Sequence, residues 1–205
     1  MKKLYYPLAG ALLLILAGCS EPAPKAEVKA EKPEPITGQS ALYKMFQVAR
    51  TAWATDAQVL RVNSIILPEV PTAPGKAGAW EATFVSPSLS RARSYTFCIV
   101  EGPGNLHKGP FAGLEESWSG PHGINAPFPA IAVKIDTDAA YQTALSNGGA
   151  DYDKKDPGKP ITLLLEKVSK FPDPAWRVIW GESVGTAGFS VYVDASTGAF
   201  LEKMH

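Results

Sequence analysis

Five residues near the end of the chain have the spacing of a hydrolase nucleophile. Gly181-Glu182-Ser183-Val184-Gly185 fits the Gly-x-Ser-x-Gly pattern, and Asp194 and His205 follow in the order Ser, Asp, His. In that chemistry an imidazole takes the serine proton while a carboxylate orients the ring. The pattern needs a strand before it and a helix after it. Here Thr186-Ala187-Gly188 and another strand follow, and His205 is the last residue of the sequence. The segment therefore reads as a hairpin turn, and serine hydrolysis is kept only as an alternative function.

Two further groups have residue types that bind metals. His107 and His122 lie near Glu115 and Glu116, but neither spacing matches the close histidine pairs of zinc sites. Asp151, Asp153 and Asp156 resemble the start of a calcium loop. Lys154-Lys155 intrude, and the sixth position is Asp156 where such a loop needs glycine for its sharp turn. Both groups are expected to be solvated polar loops, and the expectation is no metal, no cofactor and no catalytic residue.

The chain has 2 cysteines. Cys98 sits in Ser94-Tyr95-Thr96-Phe97-Cys98-Ile99-Val100, a strand pattern in which a thiol behaves as a small core hydrophobe. Among the 5 tryptophans, Trp80 and Trp176 occupy equivalent strand positions and are expected in the core. Trp118 lies among polar and turn residues, as a loop anchor or as part of a recognition surface.

The other cysteine, Cys19, ends a leader with three zones: Lys2-Lys3, the apolar run Leu8 to Ala17, and small residues before a cut. The run is shorter than the ~20 residues that span a bilayer. Leu16-Ala17-Gly18-Cys19-Ser20 resembles the lipobox of bacterial lipoproteins. That resemblance implies cleavage between Gly18 and Cys19, a diacylglycerol on the Cys19 sulfur and an acylated new amino terminus, palmitate among the acyl chains. Two or more chains anchor stably where one does not. Ser20 after the cysteine implies the outer membrane of a Gram-negative envelope, facing the periplasm.

Composition bounds the rest. The 205 residues, 45% hydrophobic and 20% charged, are ordinary globular material. Lys and Arg number 20, and Asp and Glu 20. Loss of Lys2 and Lys3 leaves 18 − 20 = −2, with no field to recruit nucleic acid. From Glu21 to about Ser40 the sequence is Pro, Glu, Lys and Ala, a tether too polar to fold, with a reach of roughly 60 Å.

Those residues must be positioned by elements that the periodicity places in order. Residues 40–50 form an amphipathic helix with Leu42, Met45, Phe46 and Ala49 on one face, Ser40 as N-cap and Trp53 continuing the face. Strands follow near Val59–Val62, Ala79–Val85 and Ser94–Glu101, and then an irregular stretch to Pro129. A second helix is expected from Ala139 to about Ser146, closed by Asn147-Gly148-Gly149. A polar loop to Pro160 precedes strands at Ile161–Val168, Ala175–Trp180, Phe189–Asp194 and Ala199–Glu202. The halves overlay: Ala41-Leu42-Tyr43 on Ala139-Ala140-Tyr141 (139 − 41 = 98), Ala79-Trp80 on Ala175-Trp176 (175 − 79 = 96), and Val100-Glu101 on Val193-Asp194 (193 − 100 = 93).

The closing segment, Trp176 to Trp180 and then Phe189-Ser190-Val191-Tyr192-Val193-Asp194-Ala195-Ser196-Thr197-Gly198, resembles the PepSY domain, a helix packed on an antiparallel sheet with a final Val-Asp-Ala-x-Thr-Gly hairpin. Ala199 stands where that family often has an acidic residue, and Val100-Glu101-Gly102-Pro103-Gly104 lacks the Thr-Gly turn. The resemblance implies inhibition or partner binding in secreted and envelope proteins, with no active-site residue to carry over.

The expected fold is α+β, an antiparallel sheet with helices packed on it in two tandem PepSY-like units. The expected organisation is a signal peptide (1–18), lipidated Cys19 and tether (19–39), a first unit (40–130) and a second unit (131–205). The expected function is a membrane-anchored envelope lipoprotein that binds a protein or peptide partner, through sheet edges or the Gly102–Pro129 segment. A purely structural envelope role is the remaining alternative.

Overall fold

Two indole rings, each the product of an alternating strand pattern, meet at the centre of the molecule. Trp80 and Trp176 are fully buried and pack edge to face with centroids 6.4 Å apart. Each N–H finds a backbone carbonyl, Ile36 at 3.1 Å and Ile135 at 2.8 Å, so neither polar atom is stranded in the core. The computed structural model describes residues 33–71, 73–121 and 125–205, all within one compact unit, Lys32–His205. The leader, Cys19, most of the tether and His122 lie outside the described residues.

The elements run β1 (Ile36–Thr37), α1 (Gly38–Ala52), β2 (Gln58–Ile65), β3 (Lys76–Ala77), β4 (Ala79–Ser86), β5 (Arg91–Cys98) and β6 (Gly109–Ser117). The second half supplies α2 (Thr137–Ala144), α3 (Ala150–Lys155), β7 (Ile161–Glu166), β8 (Ala175–Trp180), β9 (Phe189–Asp194) and β10 (Phe200–Met204). Eight strands form one antiparallel sheet in the order β10-β9-β8-β7-β2-β4-β5-β6, and β1 and β3 form a separate two-stranded ribbon. The fold is α+β, an antiparallel sheet with helices packed on it.

The halves join edge to edge at β2 and β7, where Arg61, Val62 and Asn63 pair with Glu166, Leu165 and Leu164. Trp80 pairs with Phe97, and Trp176 with Val193. The matching offset across that hairpin is therefore 193 − 97 = 96, the same as for the tryptophans, and not the 93 drawn from Val100-Glu101. The likeness of Val100-Glu101 to Val193-Asp194 is misleading there; ladder register is the better guide.

Three expectations about helices and strands are corrected. Thr37, not Ser40, stands at the α1 N-cap and makes no side-chain cap. The free N–H groups of that first turn are met from the other half: Gly38 N–H donates to Thr137 Oγ1 at 2.8 Å, and Gln39 N–H to Asp136 Oδ1 at 2.9 Å. Asp136 Oδ1 also accepts from Thr137 N–H at 2.7 Å, so one carboxylate serves the starts of both α1 and α2.

The stretch Asn147-Gly148-Gly149 does not end the helical run either. Gly148 takes a φ of 112°, but the chain re-enters helix as α3, where a polar loop was expected. Gly149 lies under Trp180, and a Cβ there would come within 2.3 Å of the ring. Finally, β6 lies inside the stretch expected to be irregular.

On the helix side, α1 buries Ala41, Leu42, Met45 and Ala49 against the sheet, as the periodicity predicts, with Phe46 half-buried beside Phe84. Trp180 carries Tyr141 of α2 stacked at 6.4 Å and Tyr152 of α3 at 6.5 Å. No helix among the described residues is long and apolar enough to cross a membrane.

Candidate functional site

The nine residues of β6 form one margin of the sheet, and the arginines of β5 hold them there. Arg91 Nη1 donates to Ser117 Oγ at 3.0 Å, and its Nε lies 3.4 Å from Glu115. Arg93 Nε donates to Gly113 O at 2.8 Å, with its guanidinium over the Tyr95 ring. Trp53, at the end of α1, donates from Nε1 to Glu115 Oε2 at 2.7 Å. That contact ties the helix to the margin strand.

A bulge breaks the β5–β6 ladder. Arg93 pairs with Glu115 and Tyr95 with Ala112, so Gly113 and Leu114 together face Ser94 alone. A Cβ on Gly113 would sit 3.0 Å from Ser94 O, which explains glycine there. Leu114 is thrown outward, 88% exposed. Pro110 has no N–H to offer, and Glu115 and Glu116 place charge on the strand, which discourages self-pairing along the margin. Among the described residues this edge pairs with no further strand, and it carries one large exposed apolar side chain.

The loop entering β6 is fixed by Glu101, whose carboxylate accepts from Lys108 N–H at 3.0 Å and contacts His107 Nδ1 at 2.7 Å. The Lys108 N–H and then His107 hold the Glu101 carboxyl below its ordinary range. His107 also packs on Phe111, with centroids 4.5 Å apart. His107 is thus partnered with Glu101 and not with Glu115 or Glu116. Trp118 is half-buried just beyond β6, its backbone N–H donating to Ser90 O at 3.0 Å.

The hydrolase-like residues are not brought together. Ser183 is exposed, and its Oγ lies 3.1 Å from Thr186 Oγ1 in a short turn. Asp194 Oδ1 accepts from Ser196 and Thr197 N–H at 2.7 and 2.9 Å, locking the β9–β10 hairpin. His205 packs on Phe189 at 5.2 Å. Phe189 and Asp194 are opposite ends of β9, separated by roughly 17 Å at ~3.3 Å per residue.

The aspartates of the expected loop are likewise engaged: Asp151 with Lys154, Asp156 with Lys159 at 2.8 Å, and Asp153 accepting from Trp180 Nε1 at 3.1 Å. Among the described residues no group of three or more His, Cys, Asp or Glu is arranged to hold a metal ion. Cys98 is buried, and burial pushes its thiol up from the ordinary value.

No protein-family model matches the chain, and no curated protein matches it. Among solved structures, the crystal structure of a candidate lipoprotein from Clostridium difficile 630 aligns with a TM-score of 0.48 at 8% identity, over 85% of this chain and 95% of that one.

The bulge and its exposed leucine escaped the sequence reading. Gly109, Pro110 and Gly113 mask the alternation that would have signalled a strand. The segment itself, Gly102–Pro129, is one of the two surfaces expected to bind, the sheet edges being the other.

Proposed function

We propose that the protein is a lipid-anchored component of a bacterial envelope whose body binds a protein or peptide partner without catalysing a reaction. The observation that carries the binding reading is β6: a sheet margin with no outer partner strand among the described residues, backed by Arg91, Arg93 and Trp53, with Leu114 exposed at its bulge. An extended partner segment adding to that edge would gain main-chain hydrogen bonds and an apolar anchor. The engagement of Ser183 with Thr186, and of Asp194 with its own turn, favours binding over hydrolysis.

Anchoring rests on Leu16-Ala17-Gly18-Cys19 and its lipobox resemblance, with the outer membrane and a periplasmic orientation drawn from Ser20. The PepSY resemblance of the closing hairpin, and the two-unit organisation, belong to the same reading.

The test is affinity capture from envelope extract with the body from residue 33 onward, beside a Leu114→Asp variant. One reproducible partner, lost with Leu114→Asp, is the expected result; equal capture by both removes β6 as the surface. Labelled palmitate should enter the full chain but not Cys19→Ala, and equal incorporation refutes the anchor. A serine-directed probe that labels wild type and spares Ser183→Ala would overturn the non-catalytic reading.

A further inference from the structure

On the helix side of the sheet, a cavity of about 430 Å³ opens between the 73–76 loop and the 158–160 loop. It falls within the usual size of small-ligand sites, roughly 300–1,000 Å³. Its floor is apolar, made by Ile161 and Leu163 of β7, and its wall includes Tyr141 of α2. We propose that this cavity is a binding site for a carboxylate carried on a small apolar body, with the Lys76 ammonium and the Tyr141 hydroxyl holding the carboxylate over the Ile161–Leu163 floor.

The argument is one of unmatched donors. Lys76 is exposed and has no ion pair among the described residues, and the Tyr141 hydroxyl has no hydrogen-bond partner among them. Burial, and next the nearby Asp153 charge, push the Tyr141 hydroxyl up from its ordinary value, so it stays protonated and able to donate. Lys159 also lines the cavity, but its ammonium is taken by Asp156 at 2.8 Å and Tyr152 Oη at 3.2 Å, which leaves its stem as wall. No Asp or Glu lines the space. One uncompensated cation and one hydroxyl suit a monoanion, because a carboxylate accepts from both in charge-assisted bonds. The apolar floor excludes a fully hydrophilic anion and favours an aliphatic group of leucine size.

The walls are firmly set. Thr137 Oγ1 donates to Gly75 O at 2.5 Å, and Gly75, at a φ of 68°, would drive a Cβ into the Asp138 backbone at 2.4 Å. The Tyr141 ring is stacked on Trp180. The site therefore exists before a ligand arrives. It is independent of β6 and of any partner there.

Carboxylates of this kind arise either at the end of a peptide chain or as free aliphatic acids. The experiment is isothermal titration calorimetry of the full chain in lipid nanodiscs with N-acetyl-L-leucine, its carboxamide and 4-methylpentanoate. At least one acid should bind, with the carboxamide about tenfold weaker, and Lys76→Ala and Tyr141→Phe should each weaken the acid about threefold to tenfold. Tyr141→Phe keeps the ring that stacks on Trp180, and an unchanged melting temperature establishes that the variants fold. Preference for N-acetyl-L-leucine assigns the site to chain ends, and preference for 4-methylpentanoate assigns it to free acids. The proposal is overturned if the carboxamide binds as well as the acids, if both variants bind like wild type, or if neither acid binds up to roughly 10 mM.

Discussion

The two ends of the sheet are built alike and finished differently. In the second half every residue of β8 and β9 is buried, on both faces. In the first half β5 is largely half-exposed, and β6 has no buried residue at all. The helix-side faces correspond, with Trp80 and Trp176 as centres; the difference lies on the other face. There the second half is roofed by its own chain. Phe171 packs on Tyr192 at 5.3 Å, and Asn125 pairs across to Val168 and donates to Glu166 at 3.3 Å. Beneath that roof Arg177 lies over the Tyr192 ring and donates to Ser190 at 3.0 Å. The first half is covered on that face only at one end, where Leu67 and Val70 pack on Ala79 and Cys98, so stability is assigned to the roofed half and contact surface is left along β5 and β6.

The strongest way to break this comparison is to hollow out the roofed half. Trp176→Ala should cost about 3–5 kcal/mol in urea unfolding, since it removes a fully buried indole and strands Ile135 O. Leu114→Ala on the open margin should change stability by less than about 0.5 kcal/mol. Similar losses at both sites would erase the distinction.

A smaller effect tests the seam. Thr137→Val keeps the shape but leaves Gly38 N–H and Gly75 O without their buried partner. The expected cost is about 1–3 kcal/mol, again by unfolding midpoint. Because Thr137 touches segments of both halves, the transition should remain single; a split transition would show that the halves unfold separately.

The smallest effect sharpens the description of the open half. Asp56, in the loop between α1 and β2, is held below its ordinary value of 3.8, first by the Ser86 hydroxyl and then by the Ser88 N–H. A folded value below the unfolded one means that the unfolded chain takes up the proton first. The contribution is therefore present above the unfolded value and is lost as pH falls through the lower folded one. Melting temperatures recorded below about pH 4 should fall less steeply in Asp56→Asn than in wild type. An identical acid slope would show that the contact carries no linkage.

Much of the roofed half was legible in the sequence. The bounds of Ala175–Trp180 and Phe189–Asp194 are legible because mostly apolar runs, interrupted by Arg177 and Ser190, and a Thr-Gly turn delimit them. Cys98 and the paired tryptophans were placed in the core from strand pattern alone. The open half was harder, since a margin strand needs only one covered face and tolerates Pro110, Gly113 and a bulge. The shared cap at Asp136 was invisible for another reason: its acceptor lies 97 residues from Gln39, and nothing local marks it. The acid-binding cavity had no motif either. It is assembled from Lys76 of the β1–β3 ribbon and Tyr141 of α2, which no local pattern links.

The ribbon at the start of the described chain has a mechanical consequence. Ile36 and Thr37 pair with Ala77 and Lys76, Ile36 O receives the Trp80 N–H, and a Cβ on Gly38 would strike Trp80, Trp176 and Thr137 within 2.8 Å. A pull exerted through the preceding segment therefore arrives at the pair of indoles in the middle of the body, not at a loosely attached helix end. Ribbon and helix start must give way before the strain reaches the sheet. Force entering at Ile36 would thus be shared between the ribbon and the start of α1, at the opposite end of the contact chain from a loose terminus.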